Sequence, residues 1–204
     1  MASLPGAKYE PVAEFQSPLG PSVIEIRGSL IVSSLESLRS LNLLDRYLTC
    51  LPADQHDQVL YVLAASWVPI DLAMTHYGAC EAMQLSEGEL ETIGRHVSQR
   101  IMGTFLGTLV RTASSIIRPD HVPLRQYPRL WDRILHGGSC AVSALGVNDA
   151  RIESRGVPMF RYRYFRIAYT GLIKGASAVF RPSTNARIRN ATDNSLTIDL
   201  NWPA

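Results

Sequence analysis

The chain has 204 residues, of which 46% are hydrophobic and 19% charged, values typical of a folded protein with one substantial core. This composition excludes an intrinsically disordered chain, and the length leaves little room for two full domains. The net charge of +2 is unevenly divided, since residues 1–150 carry 11 basic and 15 acidic side chains whereas residues 151–204 carry 9 and 3.

The sequence lacks the signals of membrane insertion, secretion and disulfide formation. No run of about 18 to 20 uncharged apolar residues occurs, so we expect no membrane span. Lys8, Glu10 and Glu14 interrupt the start of the chain, where a signal peptide needs a continuous apolar stretch. The three cysteines are widely spaced and form no C-x-x-C pair. We therefore expect a cytoplasmic protein with buried free thiols.

The first third of the chain predicts an arm, a strand and several helices. Residues 1–21 are rich in Pro, Gly and Ser and predict an extended or mobile arm. Alternating apolar residues predict a strand from Ser22 to Arg27. Ser33 and Glu36 form a capping-box pattern that predicts the start of a helix, and Pro69 suits the first turn of a later one.

The longest helical pattern extends from Ser86 to Ile117. Ser86 and Glu89 form a second capping box, after which apolar residues recur at intervals of three and four. At 1.5 Å per residue the segment would be about 45 Å long, so we expect a central helix that organises the others. Gly94 and two further glycines within it indicate either close backbone approach or room for a ligand.

The last third of the chain alternates between helical and strand periodicity. Pro128 opens a short helix, and Arg163 to Phe180 returns to helical spacing after a hairpin. The predicted strands are Ser139–Leu145, Ala150–Arg155, Ala186–Arg189 and Leu196–Trp202. These segments predict an α+β fold in a single domain over residues 22–204. A layer of five or six helices, one long and central, packs on one face of a mostly antiparallel sheet of four or five strands.

The order of these segments resembles a family of bacterial proteins of about this length, present in several copies per genome in predatory and social soil bacteria, whose function is unassigned. The resemblance extends from Ile26 to Trp202, and its landmarks are Arg27-Gly28-Ser29, Leu51-Pro52, Trp67 with Pro69, Ile93-Gly94-Arg95, Leu130-Trp131, Gly156-Val157-Pro158 and Gly171–Ala178. None of these landmarks is a catalytic signature, so the resemblance implies a fold more than a chemistry.

A more distant similarity links the chain to the four-vinyl-reductase-type ligand-binding domains and to the vesicle-tethering subunits of the TRAPP complexes. The long helix with Gly94 and Arg100, the helix at Trp131 and the helix with Gly171 and Gly175 carry this likeness. Those relatives imply a hydrophobic internal pocket or a dimer built from helices, without bond-making chemistry.

We predict a hydrophobic ligand pocket between the long helix and the helix around Leu172. Its predicted residues are Gly94, Val97, Ile101, Phe105, Leu172 and Gly175. The apolar side chains would line the pocket and the glycines would make room for a ligand. Ordinary core packing is the alternative explanation of the same residues.

The sequence contains no constellation that predicts catalysis, a metal site or a bound cofactor. Zinc sites need closely spaced Cys and His pairs, and phosphate loops need glycine-rich motifs that the chain lacks. His76 and His96 lie in predicted helices, which leaves haem ligation through one of them as an alternative. A hydrogen-bonded or exposed histidine is the commoner role of this residue in a helix.

Arg161, Arg163 and Arg166 alternate with aromatic residues, a composition that predicts a surface for an anion or a partner protein. The same run also fits a helix entrance with buried aromatic rings and solvated arginines. We therefore do not expect nucleic acid as a partner.

The sequence therefore predicts a non-catalytic domain that senses a ligand or mediates protein interaction in signalling. Its expected partners are a small apolar ligand, another protein or a second copy of the chain in a homodimer. The alternative is an adaptor without a small ligand, which acts through an exposed helical face or the arginine-rich C-terminal surface. We do not expect an enzyme.

Overall fold

The computed structural model describes residues 11–14, 21–103, 124, 127–178 and 183–203, and seven α-helices and two sheets lie within this part of the chain. The helices are α1 (Gly28–Ser40), α2 (Leu44–Cys50), α3 (His56–Leu60), α4 (Ile70–Ala82), α5 (Glu87–Gly103), α6 (Tyr127–Ile134) and α7 (Arg163–Ala178). The strands are β1 (Pro11–Glu14), β2 (Glu25–Arg27), β3 (Trp67–Pro69), β4 (Leu135–His136), β5 (Ser139–Ala144), β6 (Asp149–Arg155), β7 (Asn185–Ala191) and β8 (Ser195–Asn201).

The larger sheet has five strands in the order β1-β5-β6-β8-β7, and every neighbouring pair is antiparallel. Leu196, Ile198 and Leu200 of β8 are buried, whereas the residues between them are more exposed, as the period of two in a strand requires. Helices pack on the buried face, with α7 against β7 and β8 and α6 against β5. The predicted α+β class, a helical layer on an antiparallel sheet, is confirmed.

The predicted start of the long helix is also confirmed. The Ser86 backbone N donates a hydrogen bond to Glu89 Oε2 at 2.8 Å, and Ser86 Oγ donates to the same oxygen at 2.6 Å. These two bonds link the residues of the predicted capping box, so α5 begins where the pattern indicated. The described helix extends to Gly103, and the predicted continuation over residues 104–117 lies outside the described residues.

The prediction that the first helix starts at Ser33 was wrong, because α1 begins at Gly28. Ser33 lies buried inside the helix, and its carbonyl oxygen accepts a hydrogen bond from Ser37 Oγ at 2.8 Å. Glu36, the other member of the pattern, pairs with Arg39 and Arg100 and not with the Ser33 backbone. The capping-box pattern was therefore present at Ser33 without a helix end.

A second, smaller sheet was not predicted. It has the strand order β3-β2-β4, with antiparallel pairs on both sides of β2. The strand expected from Ser22 to Arg27 is β2 of this sheet, and its partners have only three and two residues. Strands of that length are too short to show an alternating pattern. Residues 11–14 of the predicted arm form β1 beside β5.

No helix among the described residues combines the length and the apolar character that crossing a membrane requires.

The helices α5 and α7 meet backbone to backbone at Gly94. A Cβ atom on Gly94 would lie 2.2 Å from the Ala168 carbonyl oxygen and 3.0 Å from Gly171 Cα. A Cβ atom on Gly171 would in turn lie 3.3 Å from Gly94 Cα. Since the first of these distances is far below van der Waals contact, only glycine fits at position 94 while the helices keep this separation.

Replacing Gly94 with alanine tests this contact, because the added methyl group must push α5 and α7 apart. We expect the free energy of unfolding, measured by urea denaturation, to fall by about 1–3 kcal/mol, the usual cost of overpacking. Gly88→Ala is the matched control, since Gly88 lies in the same helix with nothing within 4 Å of its Cβ position. That control should leave the free energy of unfolding unchanged or raise it slightly, because Gly88 lies in the first turn of α5 and not in its interior. Equal stability of Gly94→Ala and wild type would contradict the close contact.

Candidate functional site

A cleft with a volume of about 560 Å³ lies between α5, α7 and β7. Its α7 side is one face of the helix, on which residues three and four positions apart follow one another from Ile167 to Ala178. Ala186 and Ile188 of β7 form the opposite wall. Gly171 and Gly175 also line the cleft, so its floor is the helix crossing itself.

Charged side chains from the two helices line the same cleft. Arg95 comes from α5 and Lys174 from α7, and both are exposed. Arg187 of β7 alternates with the wall residues Ala186 and Ile188 and pairs with Asp199, so its side chain lies on the other face of the sheet. Glu87 and Glu91 of α5 are the acidic residues of the described lining. The cleft therefore joins partly apolar walls to a charged rim, the usual composition of a small-molecule site.

A second, much smaller space lies on the other side of α7 and has a volume of about 30 Å³. Apolar and aromatic side chains from α1, α4, α5 and α7 line it, among them Tyr77, Val97, Tyr164 and Leu172. That volume is enough for one or two water-sized molecules, since a single water needs about 10–15 Å³.

The residues of the predicted pocket are divided between these two spaces. Val97 and Leu172 line the small space, and Gly175 lines the large cleft. Ile101 packs against the core, and Gly94 lies in the close contact between α5 and α7. Phe105 lies outside the described residues.

Sequence reasoning missed Arg95 and Lys174 as neighbours in one cleft. Each belongs to a different element, and no spacing along the chain connects them. The only available signal was the periodic face of α7, which contains Gly171 and Lys174. The position of β7 opposite that face depends on the order of strands in the sheet, which the sequence pattern does not specify.

The arginines of the predicted anion surface lie at the entrance of α7. Arg163 Nη1 donates a hydrogen bond to the Leu85 carbonyl oxygen at 3.0 Å, and its Nη2 lies 4.0 Å from Glu87 Oε2. Arg161 is exposed and Arg166 is half-buried, while the aromatic Tyr164 and Phe165 are buried. Arg163 is thus engaged in joining α7 to the start of α5.

A chain of buried hydrogen bonds connects four helices around His76 of α4. His76 Nδ1 is 2.7 Å from the Tyr47 hydroxyl, and its Nε2 is 3.1 Å from Ser34 Oγ. Ser34 Oγ is in turn 3.0 Å from the hydroxyl of Tyr164. Because α1, α2, α4 and α7 each contribute one residue, this His76 network fixes their relative positions.

Burial keeps the His76 network uncharged near neutral pH. It lowers the pKa of His76 from its ordinary value of 6.5 to about 3, and it raises the pKa of the Tyr47 hydroxyl. Cys80 Sγ lies 3.8 Å from His76 Nε2, yet burial raises the pKa of its thiol too. Since both shifts oppose a thiolate–imidazolium pair, this Cys and His do not form an activated nucleophile.

The other candidate haem ligand, His96, lies on α5. Its Nδ1 is 3.4 Å from Ser40 Oγ, and the side chain is partly exposed. Neither His76 nor His96 lines the cleft or the small space.

No protein-family model matches the chain, and no curated protein matches it either. Solved structures do match. An oxygen-binding H-NOX domain related to soluble guanylate cyclases is 11% identical, with a TM-score of 0.58 over 88% of this chain and 96% of that one. An Fe(II) unliganded H-NOX protein from K. algicida is 10% identical, with a TM-score of 0.57 over 88% of this chain and 97% of that one.

A third solved structure comes from work on haem distortion in the H-NOX family and is 12% identical, with a TM-score of 0.59 over 88% of this chain and 96% of that one. At this level of identity the matches establish that the chain shares the H-NOX fold. They extend over almost the whole length of each neighbour, so the shared fold includes both the helices and the sheet.

Two predictions are corrected by these matches. The similarity to four-vinyl-reductase-type domains and TRAPP subunits was wrong, because the structural neighbours are H-NOX domains. The expectation of no cofactor is contradicted as well, because these neighbours are haem-binding domains. The sequence pattern could not reveal this fold, since about nine in ten residues differ from those of the neighbours.

The His76 network makes a prediction about pH. In the folded chain His76 takes up a proton only near pH 3, whereas in the unfolded chain it does so near pH 6.5, so stability is lost as pH falls through this window. Between about pH 6.5 and 5 the wild type should lose about 2 kcal/mol more than His76→Gln, whose amide does not titrate. Urea denaturation of both proteins at each pH measures the difference. Parallel losses in the two proteins would refute the buried neutral histidine.

Proposed function

We propose that this chain is a non-catalytic ligand-sensing domain and that its ligand binds in the cleft between α5, α7 and β7. The observation that carries the proposal is the cleft of about 560 Å³ built directly on the glycine contact of two helices. Small-molecule sites typically have volumes of about 300–1,000 Å³, with largely apolar walls and a few polar groups. The H-NOX fold also supports the proposal of ligand sensing, because one solved neighbour is an oxygen-binding domain.

The helix crossing explains how binding would be sensed. Gly94 and Gly171 leave no side chain between α5 and α7 that could change rotamer, so the two helices would respond to a ligand together, by moving as one unit relative to β7. A ligand in the cleft would contact both helices and β7 at once. It would therefore bind one relative position of these elements better than another, and this difference in affinity is what shifts a conformational equilibrium.

The buried titratable groups favour a sensing role over catalysis. General acid–base chemistry needs a group whose pKa lies near the operating pH and which can reach a substrate. Burial moves the pKa of His76 and of the Cys80 thiol away from neutrality in opposite directions. Burial also raises the pKa of Cys140 to about 12.

Haem is the cofactor to which the neighbouring structures point, and the described residues do not fit it. Both ring nitrogens of His76 are engaged, and the space beside α7 holds only about 30 Å³. No histidine lines the described walls of the larger cleft. His121 lies outside the described residues, and we derive no functional step through haem.

Binding of the uncharged fluorescent probe phenylnaphthylamine tests the proposed function. We expect saturable fluorescence enhancement with one probe per chain, because the apolar walls of the cleft exclude water from the probe. Ala178→Trp should weaken probe binding by occupying part of the cleft, whereas Ala64→Trp, on an exposed residue outside the lining, should bind like wild type. Hydrogen exchange in α5 and α7 should slow when the probe binds.

Two outcomes would contradict the proposal. An adaptor without a ligand site would not bind the probe. Ligand binding would lie outside the cleft if Ala178→Trp still bound the probe as wild type does and still gave a Soret band on addition of haem.

A further inference from the structure

We infer that the ligand of this cleft is an extended polypeptide segment that adds to β7 as a sixth strand of the larger sheet. The inference rests on the proposed function, since it names the class of partner for the same site. It is carried by the open edge of β7, the position of α5 beside that edge and the charge on the outer face of the sheet.

Within the described part of the chain, β7 pairs on one side only and forms an edge of the larger sheet. An edge strand presents unpaired backbone N–H and C=O groups, which can pair with another extended chain. The register of β7 with β8 is irregular between Ile188 and Asn190, so the regular edge extends from Asn185 to Ile188. This edge suits a short strand.

The hydrogen bonds of β8 alternate between its two neighbours. At the turn, Thr192 N donates to the Ser195 carbonyl oxygen at 2.9 Å, so Ser195 bonds towards β7. On the other side, Trp202 N donates to the Asn148 carbonyl oxygen at 3.0 Å, so Trp202 bonds towards β6. Successive residues of a central antiparallel strand bond to opposite neighbours. The odd-numbered residues of β8, Asp199 among them, therefore bond to β7.

The same alternation sets the direction of the β7 backbone. Arg187 stands opposite Asp199 and bonds to β8, so its neighbours Ala186 and Ile188 turn their N–H and C=O groups to the open edge. The side chains of Ala186 and Ile188 line the cleft. A strand that pairs with these two residues would place its own side chains, opposite theirs, in the cleft.

The helical layer is wider than the sheet at this edge. Helix α7 packs against β7 and β8, whereas α5 packs against α7 and α1. The cleft of about 560 Å³ lies where the described helices reach further than the described strands. An added strand beside β7 would lie over α5 and fill this space. Because Ile167 and Ala178 of α7 also line it, the side chains that such a strand turns inward should be apolar.

The outer face of the sheet specifies the residue between those apolar side chains. Asp199 of β8 lies 2.7 Å from Arg151 Nε and 3.3 Å from Arg189 Nη1, so two arginines share this carboxylate. Arg187 is exposed and lies within 4.0 Å of no described carboxylate. A glutamate or aspartate that an added strand places opposite Arg187 would give it a cross-strand partner of opposite charge.

A second copy of the chain does not supply that partner. The strand β7 contains two arginines and no acidic residue. A two-fold pair of β7 strands would therefore bring two arginines from each copy to one face and leave Arg187 without a carboxylate. The partner that fits is a different polypeptide, with an acidic residue between two apolar ones in an extended segment.

A fluorescein-labelled peptide with the sequence Thr-Val-Glu-Val-Thr tests the added strand. Its valines match Ala186 and Ile188, and its glutamate matches Arg187. We expect saturable binding, measured by fluorescence anisotropy, and displacement of phenylnaphthylamine from the cleft. The same peptide with both valines N-methylated keeps its side chains but loses two N–H donors, so its affinity should fall about tenfold or more.

Two variants of the chain separate backbone pairing from charge. Ala186→Pro removes an N–H that points to the open edge and not to β8, so the fold should persist, by circular dichroism, while peptide affinity falls about fivefold or more. Arg187→Glu should weaken binding of the glutamate peptide about threefold or more and strengthen binding of a peptide with lysine in its place. Arg155→Glu is the matched control, because Arg155 is exposed on β6, two strands from the edge. It should leave both affinities within about twofold.

Equal affinity of the unmodified and N-methylated peptides would overturn the added strand. So would the absence of peptide binding while phenylnaphthylamine still binds, which would leave the cleft as a ligand site. A wild-type dimer in sedimentation equilibrium that Ala186→Pro dissociates would assign the edge to a second copy instead. Failure of the peptide and of phenylnaphthylamine alike would overturn the proposed function as well.

Discussion

The contact between the backbones of α5 and α7 at Gly94 is the constraint on which the rest of this structure depends. A single added methyl group at that position would lie 2.2 Å from the Ala168 carbonyl oxygen, so the separation of the two helices is set by main-chain atoms. Because α7 also packs against β7 and β8, the same contact fixes where α5 stands relative to the edge of the larger sheet. The cleft of about 560 Å³ exists because three elements meet there with glycine at its floor.

The other end of α7 is held by a different kind of interaction. Tyr164, near its start, shares a buried hydrogen bond with Ser34, and Ser34 is bonded to His76. Buried polar groups are favourable only when they are paired, so this network admits few alternative arrangements of the helices it joins. One end of α7 is therefore fixed by specific hydrogen bonds, while its middle and C-terminal half rest on close apolar packing and border the cleft.

Local patterns in the sequence predicted local structure well. The alternation of Leu196, Ile198 and Leu200 identified β8, and the Ser86–Glu89 pattern identified the start of α5, because both signals act within a few residues. The same reasoning misplaced the start of α1, since Ser33 and Glu36 match the capping-box pattern although both lie inside the helix. It could not assemble the cleft or the His76 network, because each joins elements that are distant in sequence. Gly94 is an unusual residue for a helix interior, yet its role depends on Ala168, more than seventy residues away along the chain.

Native-state hydrogen exchange of the unmodified chain measures most directly whether the α5–α7 crossing is the rigid unit of the fold. If it is, the amides of α5 around Gly94 and of α7 around Gly171 exchange only through global unfolding, at the slowest rates in the molecule. Faster exchange of these amides through local opening of α7, while β6 and β8 stay protected, would contradict the account. The sheet alone would then be the stable core, and the crossing would not support a sensing cleft.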